Sequence, residues 1–178
     1  MRNINFNKIR NDSDIATVFG CNLDDLRRLL SVNAYSPTPT RYLEMRIPKK
    51  NRRNFGKFRV VYKVLDPTLE LLQKNISTAL VVNNSFPDCV QGFAYKRSVA
   101  TNAKQHLSKR YVVNVDIQDF FNAISFEKVR DVFVNVGCNS DVANWFASIC
   151  TFNGFLPQGA SSSPVIANLV CKQMDEEL

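Results

Sequence analysis

The sequence predicts an α+β fold, and three observations carry that reading. Two segments, YLEMRI at 42–47 and FRVVYKVL at 58–65, show the alternation of half-buried strands. A third, at 111–116, has the β-branched composition of a strand. Between and after them, apolar residues recur at helical spacing, as at Leu69, Leu72, Ile76 and Leu80.

In chain order, residues 13–31 predict two short helices. Asn22 can cap the second, with Asp24 and Asp25 in its first turn and Leu23, Leu26 and Leu30 on one face. SPTPT at 36–40 reads as a linker or turn. The two alternating segments are joined by PKKNRRNFGK, so they form a long hairpin with a charged tip. Asp66 followed by Pro67 is a cap and first position that opens a helix. A polar and aromatic loop, QGFAYKR, occupies 91–97, and Ser98 can cap a helix to about Leu107. After the strand at 111–116, Ser125 can cap a helix carrying Phe126, Val129, Phe133 and Val136, closed by Gly137. A further helix spans Ser140 to Cys150, and 152–164 is a loop or short turn. Ser163 and Pro164 are again a cap and first position. The last helix shows no stop signal, so the chain is expected to end within an element.

The chain has 178 residues, enough for one domain or two small ones with a core. It is 45% apolar and 22% charged, the balance of a globular protein. No run of about eighteen apolar residues predicts a membrane span, and the first residues lack a signal-peptide core. The five cysteines show no zinc-ligand spacing, and the only histidine is His106. They read as reduced, mostly buried thiols of a cytoplasmic protein. The net charge is +7, yet residues 41–63 alone carry nine Lys or Arg against Glu44. That segment therefore accounts for the whole basic excess, which marks a polyanion surface over an ordinary solvated face.

Within VVNVDIQDFFNAI, Asp116 ends a strongly apolar run. A carboxylate there is costly unless it is paired, caps a helix or binds a cation. Asp119 reads as a cap or turn residue, with a second ligand as the alternative. At most one of Phe120 and Phe121 faces a ligand; the other belongs to the core. His106 and Trp145 read as structural. The basic hairpin, the Asp116–Phe121 stretch and the LPQGASSSP loop before a helix start together suggest nucleotidyl transfer.

These segments resemble the reverse transcriptases of bacterial retrons and, more distantly, of group II introns. VVNVDIQDFF is similar to the family's first metal-binding segment, and LPQGASSSP to its Leu-Pro-Gln-Gly-Ala-x-x-Ser-Pro segment. RIPKKN with GKFRVV resembles its fingers hairpin, and GFAYKRSVATNAKQHL a retron-like segment. The resemblance runs from about Arg41 to Leu178. It implies a right-hand fingers-palm fold, with residues 1–40 an N-terminal helical segment, 41–110 the fingers and 111–178 the first part of an incomplete palm.

The resemblance also implies roles. Asp116 would bind two Mg²⁺ ions (Mn²⁺ as the alternative), with the Ile117 backbone carbonyl on one of them. Phe121 would lie under the incoming sugar, and Gln158 would contact the incoming nucleotide. Lys49 and Arg59 would meet its phosphates, with Lys50 the alternative at the first position. Lys50, Arg52, Arg53, Tyr95, Lys96 and Arg97 would contact nucleic acid; an ordinary solvated loop is the alternative for the last three. The implied partners are deoxynucleoside triphosphates and an RNA template and primer, drawn from a structured non-coding RNA. Arg52 and Arg53 stand where glycine is commoner, Ser161 replaces the usual proline, and Tyr62-Lys63-Val64 departs from the usual run.

The family's Tyr-x-Asp-Asp segment, with two of three metal carboxylates, is not in these residues. The expectation is therefore an N-terminal portion, inactive alone and prone to self-association through an unpaired palm edge. Other readings are a non-catalytic nucleic-acid-binding remnant, a split subunit, or a template-independent polymerase of the antiviral defence type.

Overall fold

The computed structural model describes residues 4–31, 41–49 and 56–177. Helices α1 (Asp12–Phe19) and α2 (Leu23–Leu30) come first, each started by an asparagine whose side chain accepts backbone N–H groups. Asn22 takes those of Asp24 and Asp25 at 2.8 and 3.3 Å, as its position predicts. Strands β1 (Tyr42–Pro48) and β2 (Phe58–Val64) follow as an antiparallel hairpin. Its register runs from Tyr42 opposite Val64 to Pro48 opposite Phe58. It is the only sheet among the described residues.

Helix α3 (Pro67–Asn83) begins as the Asp66-Pro67 pair dictates. The Asp66 carboxylate accepts the N–H groups of Thr68 and Leu69 at 2.9 and 3.0 Å, and Arg28 of α2 reaches its other oxygen at 2.8 Å. Helix α4 (Val99–Gln105) starts at Ser98 in a reciprocal capping box with Thr101. Helices α5 (Phe126–Asn135) and α6 (Ser140–Cys150) pack side by side, and α7 (Ser163–Val170) and α8 (Lys172–Glu177) complete the order.

One apolar cluster holds these elements together, except α4 and α8, which bury no residue in it. Phe133 and Phe146 lie 5.0 Å apart between ring centroids, with Phe6 and Phe19 packed edge-on or tilted against them. Leu69, Leu72, Ile76 and Leu80 present the α3 stripe to the same cluster, each nearly or wholly inaccessible to solvent. Helix α3 therefore runs through the middle of the molecule, where its buried Gln73 donates to the Tyr42 hydroxyl and the Ile149 carbonyl. Residues before the hairpin share this core, and Asn75 and Asn83 hold the carbonyls of Phe19 and Ile4.

Three expectations are corrected. The segment 111–116 forms no strand ladder among the described residues. β-branched composition favours a pleat, but a strand needs a partner to take its N–H and C=O groups, and no described segment pairs with it. Ser163 does not cap the last helix. Ser162 stands at the cap position, and the Ser163 hydroxyl donates to the Pro157 carbonyl at 2.6 Å, back into the preceding loop. The last helix is also interrupted at Cys171 rather than continuous.

Of the five thiols, Cys138 and Cys150 are buried, Cys21 and Cys171 are half-buried and Cys89 is exposed. Burial pushes the Cys138 and Cys150 thiols up to about 12, so neither is a nucleophile near neutrality. No helix among the described residues is long and apolar enough to cross a membrane.

Candidate active site

The site is built around a short loop. In FNGF, Asn153 and Gly154 adopt positive φ of 52° and 79°, and Phe152 and Phe155 exchange two backbone hydrogen bonds across them. That is the two-residue turn an Asn-Gly pair favours. The chain then returns through Leu156, whose N–H donates to the Ile124 carbonyl at 3.0 Å. Ile124 in turn closes the short 3₁₀ helix Phe120–Ala123 by donating to the Phe121 carbonyl at 3.2 Å. Lys128 Nζ lies 3.3 Å from the Ala123 carbonyl at the end of the same turn.

On its other side the loop meets the hairpin. The N–H of Tyr62, on β2, donates to the Gln158 carbonyl at 2.7 Å. Gly159 is pressed onto the same strand at a φ of +114°. A Cβ there would stand 2.7 Å from the Tyr62 carbonyl oxygen and 2.7 Å from Val61. Only glycine fits such a position, for both space and backbone angle. The Tyr62 ring adds contacts of 5.4 Å to Phe152 and 5.8 Å to Phe155, and Phe152 lies 4.6 Å from Tyr42. Burial raises the pKa of the Tyr62 phenol, with Glu44 adding to the shift.

Hydrogen bonds therefore join the hairpin, the LPQGA loop and the Phe120–Ala123 turn in series. Gln158 is brought beside β2, and Phe121 is linked to it through Ile124 and Leu156. Arg59 lies three residues before Tyr62, about 10 Å along the strand. Lys49 donates its N–H to the Lys57 carbonyl at 2.9 Å, one step past the last paired residues of the hairpin. Lys50, Arg52 and Arg53 lie outside the described residues.

Asp116 and Ile117 are exposed, in the segment that lacks a ladder. Ile117 lines an apolar groove of about 500 Å³ with Phe120, Ile124, Leu169, Val170 and Met174. Asp119 has left-handed backbone angles of 49° and 34°, makes no side-chain capping bond and accepts the Ala123 N–H at its carbonyl. It is the turn residue of this stretch, a conformation aspartate tolerates. Phe121 is half-buried and packs on the core, its ring 5.6 Å from Phe120.

Among the described residues no three His, Cys, Asp or Glu side chains cluster to hold a metal ion. Asp116 and Asp119 alone do not fit a pair of hard cations, which need carboxylates from more than one element.

The loop 91–97 is divided in its roles. Arg97 is tied inward: its guanidinium donates to the Asp88 carbonyl at 2.9 Å, the Asp88 carboxylate at 2.9 Å and the Phe86 carbonyl at 3.4 Å. Tyr95 and Lys96 are exposed, the ammonium 5.4 Å from the ring centroid. Sequence reading missed Tyr62 as the seat of Gln158, because a backbone N–H contact leaves no side-chain signature. The Asn-Gly pair at 153–154 was a legible turn signal.

Comparison with known proteins places this arrangement. The family described as "Reverse transcriptase (RNA-dependent DNA polymerase)" matches residues 47–178. Retron Ec86 reverse transcriptase of Escherichia coli is 29% identical over 177 residues, covering 98% of this chain and 52% of that protein. Retron Mx65 reverse transcriptase of Myxococcus xanthus is 26% identical over 187 residues, covering 95% and 42%. Retron Ec48 reverse transcriptase of Escherichia coli is 34% identical over 166 residues, covering 83% and 40%. The chain thus spans about half the length of these relatives, or less. Since the family match runs from the end of β1 through β2 and the LPQGA loop to residue 178, this chain belongs to the reverse transcriptase family, and the relatives it resembles are the reverse transcriptases of retrons.

Proposed function

We propose that this chain supplies the fingers (41–110) and the first part of the palm (111–178) of an RNA-directed DNA polymerase. The single observation that carries the reading is the serial connection of hairpin, LPQGA loop and Phe121 turn. It couples residues suited to phosphate, base and sugar through one hydrogen-bonded series, and positioning is much of what phosphoryl transfer requires of a protein.

In this reading Lys49 and Arg59 neutralise the triphosphate, Gln158 orients the nucleotide and Phe121 supports the sugar. Asp116 and the Ile117 carbonyl would hold one side of a Mg²⁺ or Mn²⁺ site, which would supply neutralisation of charge on the phosphates. The remaining carboxylates come from a Tyr-x-Asp-Asp strand pair that also gives residues 111–116 their ladder. A primer 3′-oxygen attacks the α-phosphorus of a deoxynucleoside triphosphate, the bond to the bridging oxygen breaks, and pyrophosphate leaves. The template and primer belong to a structured non-coding RNA, held in part by Lys50, Arg52, Arg53, Tyr95 and Lys96. Arg97 acts by fixing the loop.

Primer extension on an RNA template tests this reading. Residues 1–178 alone are expected to give no extension above background. A polypeptide in which they continue into a Tyr-x-Asp-Asp strand pair is expected to extend the primer with Mg²⁺, and Asp116→Ala to abolish it. Extension that survives Asp116→Ala would overturn the assignment. A second reading, a nucleic-acid-binding subunit without catalysis, is favoured by the exposure of Asp116 on an unladdered segment. It predicts RNA binding by both polypeptides and extension by neither.

A further inference from the structure

Helix α7 begins where the LPQGA loop ends, and its start is firmly seated. Ser162 and Ser163 are inaccessible to solvent, and the Ser163 hydroxyl donates to the Pro157 carbonyl at 2.6 Å. Val165, Ile166 and Ala167 follow in the apolar cluster. The next residue, Asn168, is half-buried, and its amide donates to the Gly92 carbonyl at 2.8 Å, across 76 positions of sequence. Five residues separate it from Ser163, about 7.5 Å along the helix.

The segment that Asn168 grips is joined to the molecule mainly by polar bonds. Of residues 88–110 only Val90 is buried, and α4 buries none of its seven residues. A helix so short and without a buried face gains little from packing. Its order comes from within. The Asp88 carbonyl accepts from Gln91 at 2.7 Å, Arg97 at 2.9 Å and Gln105 at 2.7 Å, so one oxygen gathers the loop and the end of α4. Thr101 donates to the Gln91 side chain at 2.7 Å and shares the capping box with Ser98. The segment is thus a braced unit whose seat depends on its tethers. Two side-chain bonds tie it to α7 and α8: Asn168 at Gly92, and Cys89, whose thiol donates to the Asp175 carbonyl at 3.2 Å. The thiol bond is the weaker, because sulfur is a poor donor. Helix α7 therefore acts as a ruler. Its first turn is set by the loop that carries Gln158, and its second turn holds the loop 91–97.

We propose that Asn168 is a positioning residue for polymerisation: from α7 it holds the loop 91–97 at a fixed separation from the loop around Gln158, with Cys89 as a second, weaker tether. The proposal rests on the reading of the loop 91–97 as a contact for template and primer, and adds what fixes that loop in place.

Hydrogen–deuterium exchange of the 178-residue chain, read by mass spectrometry on peptides covering 88–107, tests the tether without any catalytic assumption. Asn168→Asp keeps the shape of the side chain and removes the donor. Exchange in these peptides should rise about fivefold, the ratio that one ordinary hydrogen bond supports. Peptides from α3, α5 and α6 should keep the parent rate. Asn168→Gln keeps a donor and should stay close to the parent, whereas Asn168→Asp with Cys89→Ala should exceed either single variant. Parent-like exchange in Asn168→Asp would overturn the tether. So would an equal rise in Asn168→Gln, or a rise shared by the core peptides, which would mark a general loss of stability.

Primer extension by the polypeptide continued into a Tyr-x-Asp-Asp strand pair tests the positioning role. Apparent affinity falls only as the competent fraction falls. Asn168→Asp, with Cys89 still in place, should therefore raise the KM for template and primer only slightly. The double variant should raise it about twofold or more, with kcat and the nucleotide KM close to the parent. An unchanged template KM in the double variant, with exchange raised, would make Asn168 a structural tether and overturn its part in polymerisation. No extension by the parent polypeptide would overturn the proposed function and the positioning role together, a failure distinct from that of the tether, which exchange alone decides.

Discussion

Asp66 shows how one side chain sets both an element and a pH dependence. Burial opposes its ionisation, but the N–H groups of Leu69 and Thr68 and the Arg28 guanidinium outweigh that and hold its carboxyl below the ordinary 3.8. Folding therefore favours the charged form. The contribution is complete above the ordinary value and is lost as pH falls through the lower, folded one. Asp66→Ala should cost about 1 kcal/mol near neutrality, as loss of a helix cap typically does. Denaturant melts between neutral and acidic pH should show the difference from the parent shrinking below about pH 4. Phe121 is the other residue with a direct test. In a polymerising polypeptide, Phe121→Val should raise ribonucleotide incorporation relative to deoxyribonucleotide, because ring volume under the sugar is what excludes a 2′-hydroxyl in the proposed pocket. An unchanged ratio, with only the loss of about 1 kcal/mol expected from reduced apolar burial, would return Phe121 to a purely core role.

At the scale of elements, the LPQGA loop is a strut between the hairpin and the turn after Asp116. Its contact with β2 is a backbone bond beside a glycine that has no room for a side chain. Gly159→Ala adds a methyl group 2.7 Å from the Tyr62 carbonyl and imposes an unfavourable positive φ. The expected cost is about 1–3 kcal/mol, the usual range for a strained backbone position, measured as a shift in the denaturation midpoint. Because the strut carries Gln158, the same substitution should also raise the KM for nucleotide in an active polypeptide. A stability loss with KM unchanged would show that the strut braces the fold without setting the nucleotide contact.

Over the whole molecule, the apolar surface is unevenly closed. The cluster around α3 is sealed, whereas Tyr111, Val113, Val115 and Ile117 are 54–92% exposed. The groove beside them is lined by Phe120, Ile124 and Met174. An open backbone edge with apolar side chains is a template for pairing. Sedimentation of residues 1–178 should therefore show concentration-dependent association, reduced by Val113→Lys with Val115→Lys. A monomer at all concentrations would mean that the segment is satisfied by solvent alone.

What the sequence determined by itself was largely local. Asn22, Asp66, Ser98 and Ser125 announced helix starts because capping needs only a side chain and the next three N–H groups. The hairpin was legible from alternation, and its pairing runs from Tyr42 to Val64 as the pattern implied. The family was legible because its motifs are contiguous runs with fixed spacing. Tertiary structure decided the rest. A strand exists only with a neighbour to bond, so the β-branched run at 111–116 was not enough to make one. Ser163 was drawn from a cap to the Pro157 carbonyl because the loop came within reach. Arg97 was turned inward by a carbonyl nine residues earlier in the chain. Gln158 was placed by the backbone of Tyr62, a contact that every residue except proline can make and that no sequence pattern encodes.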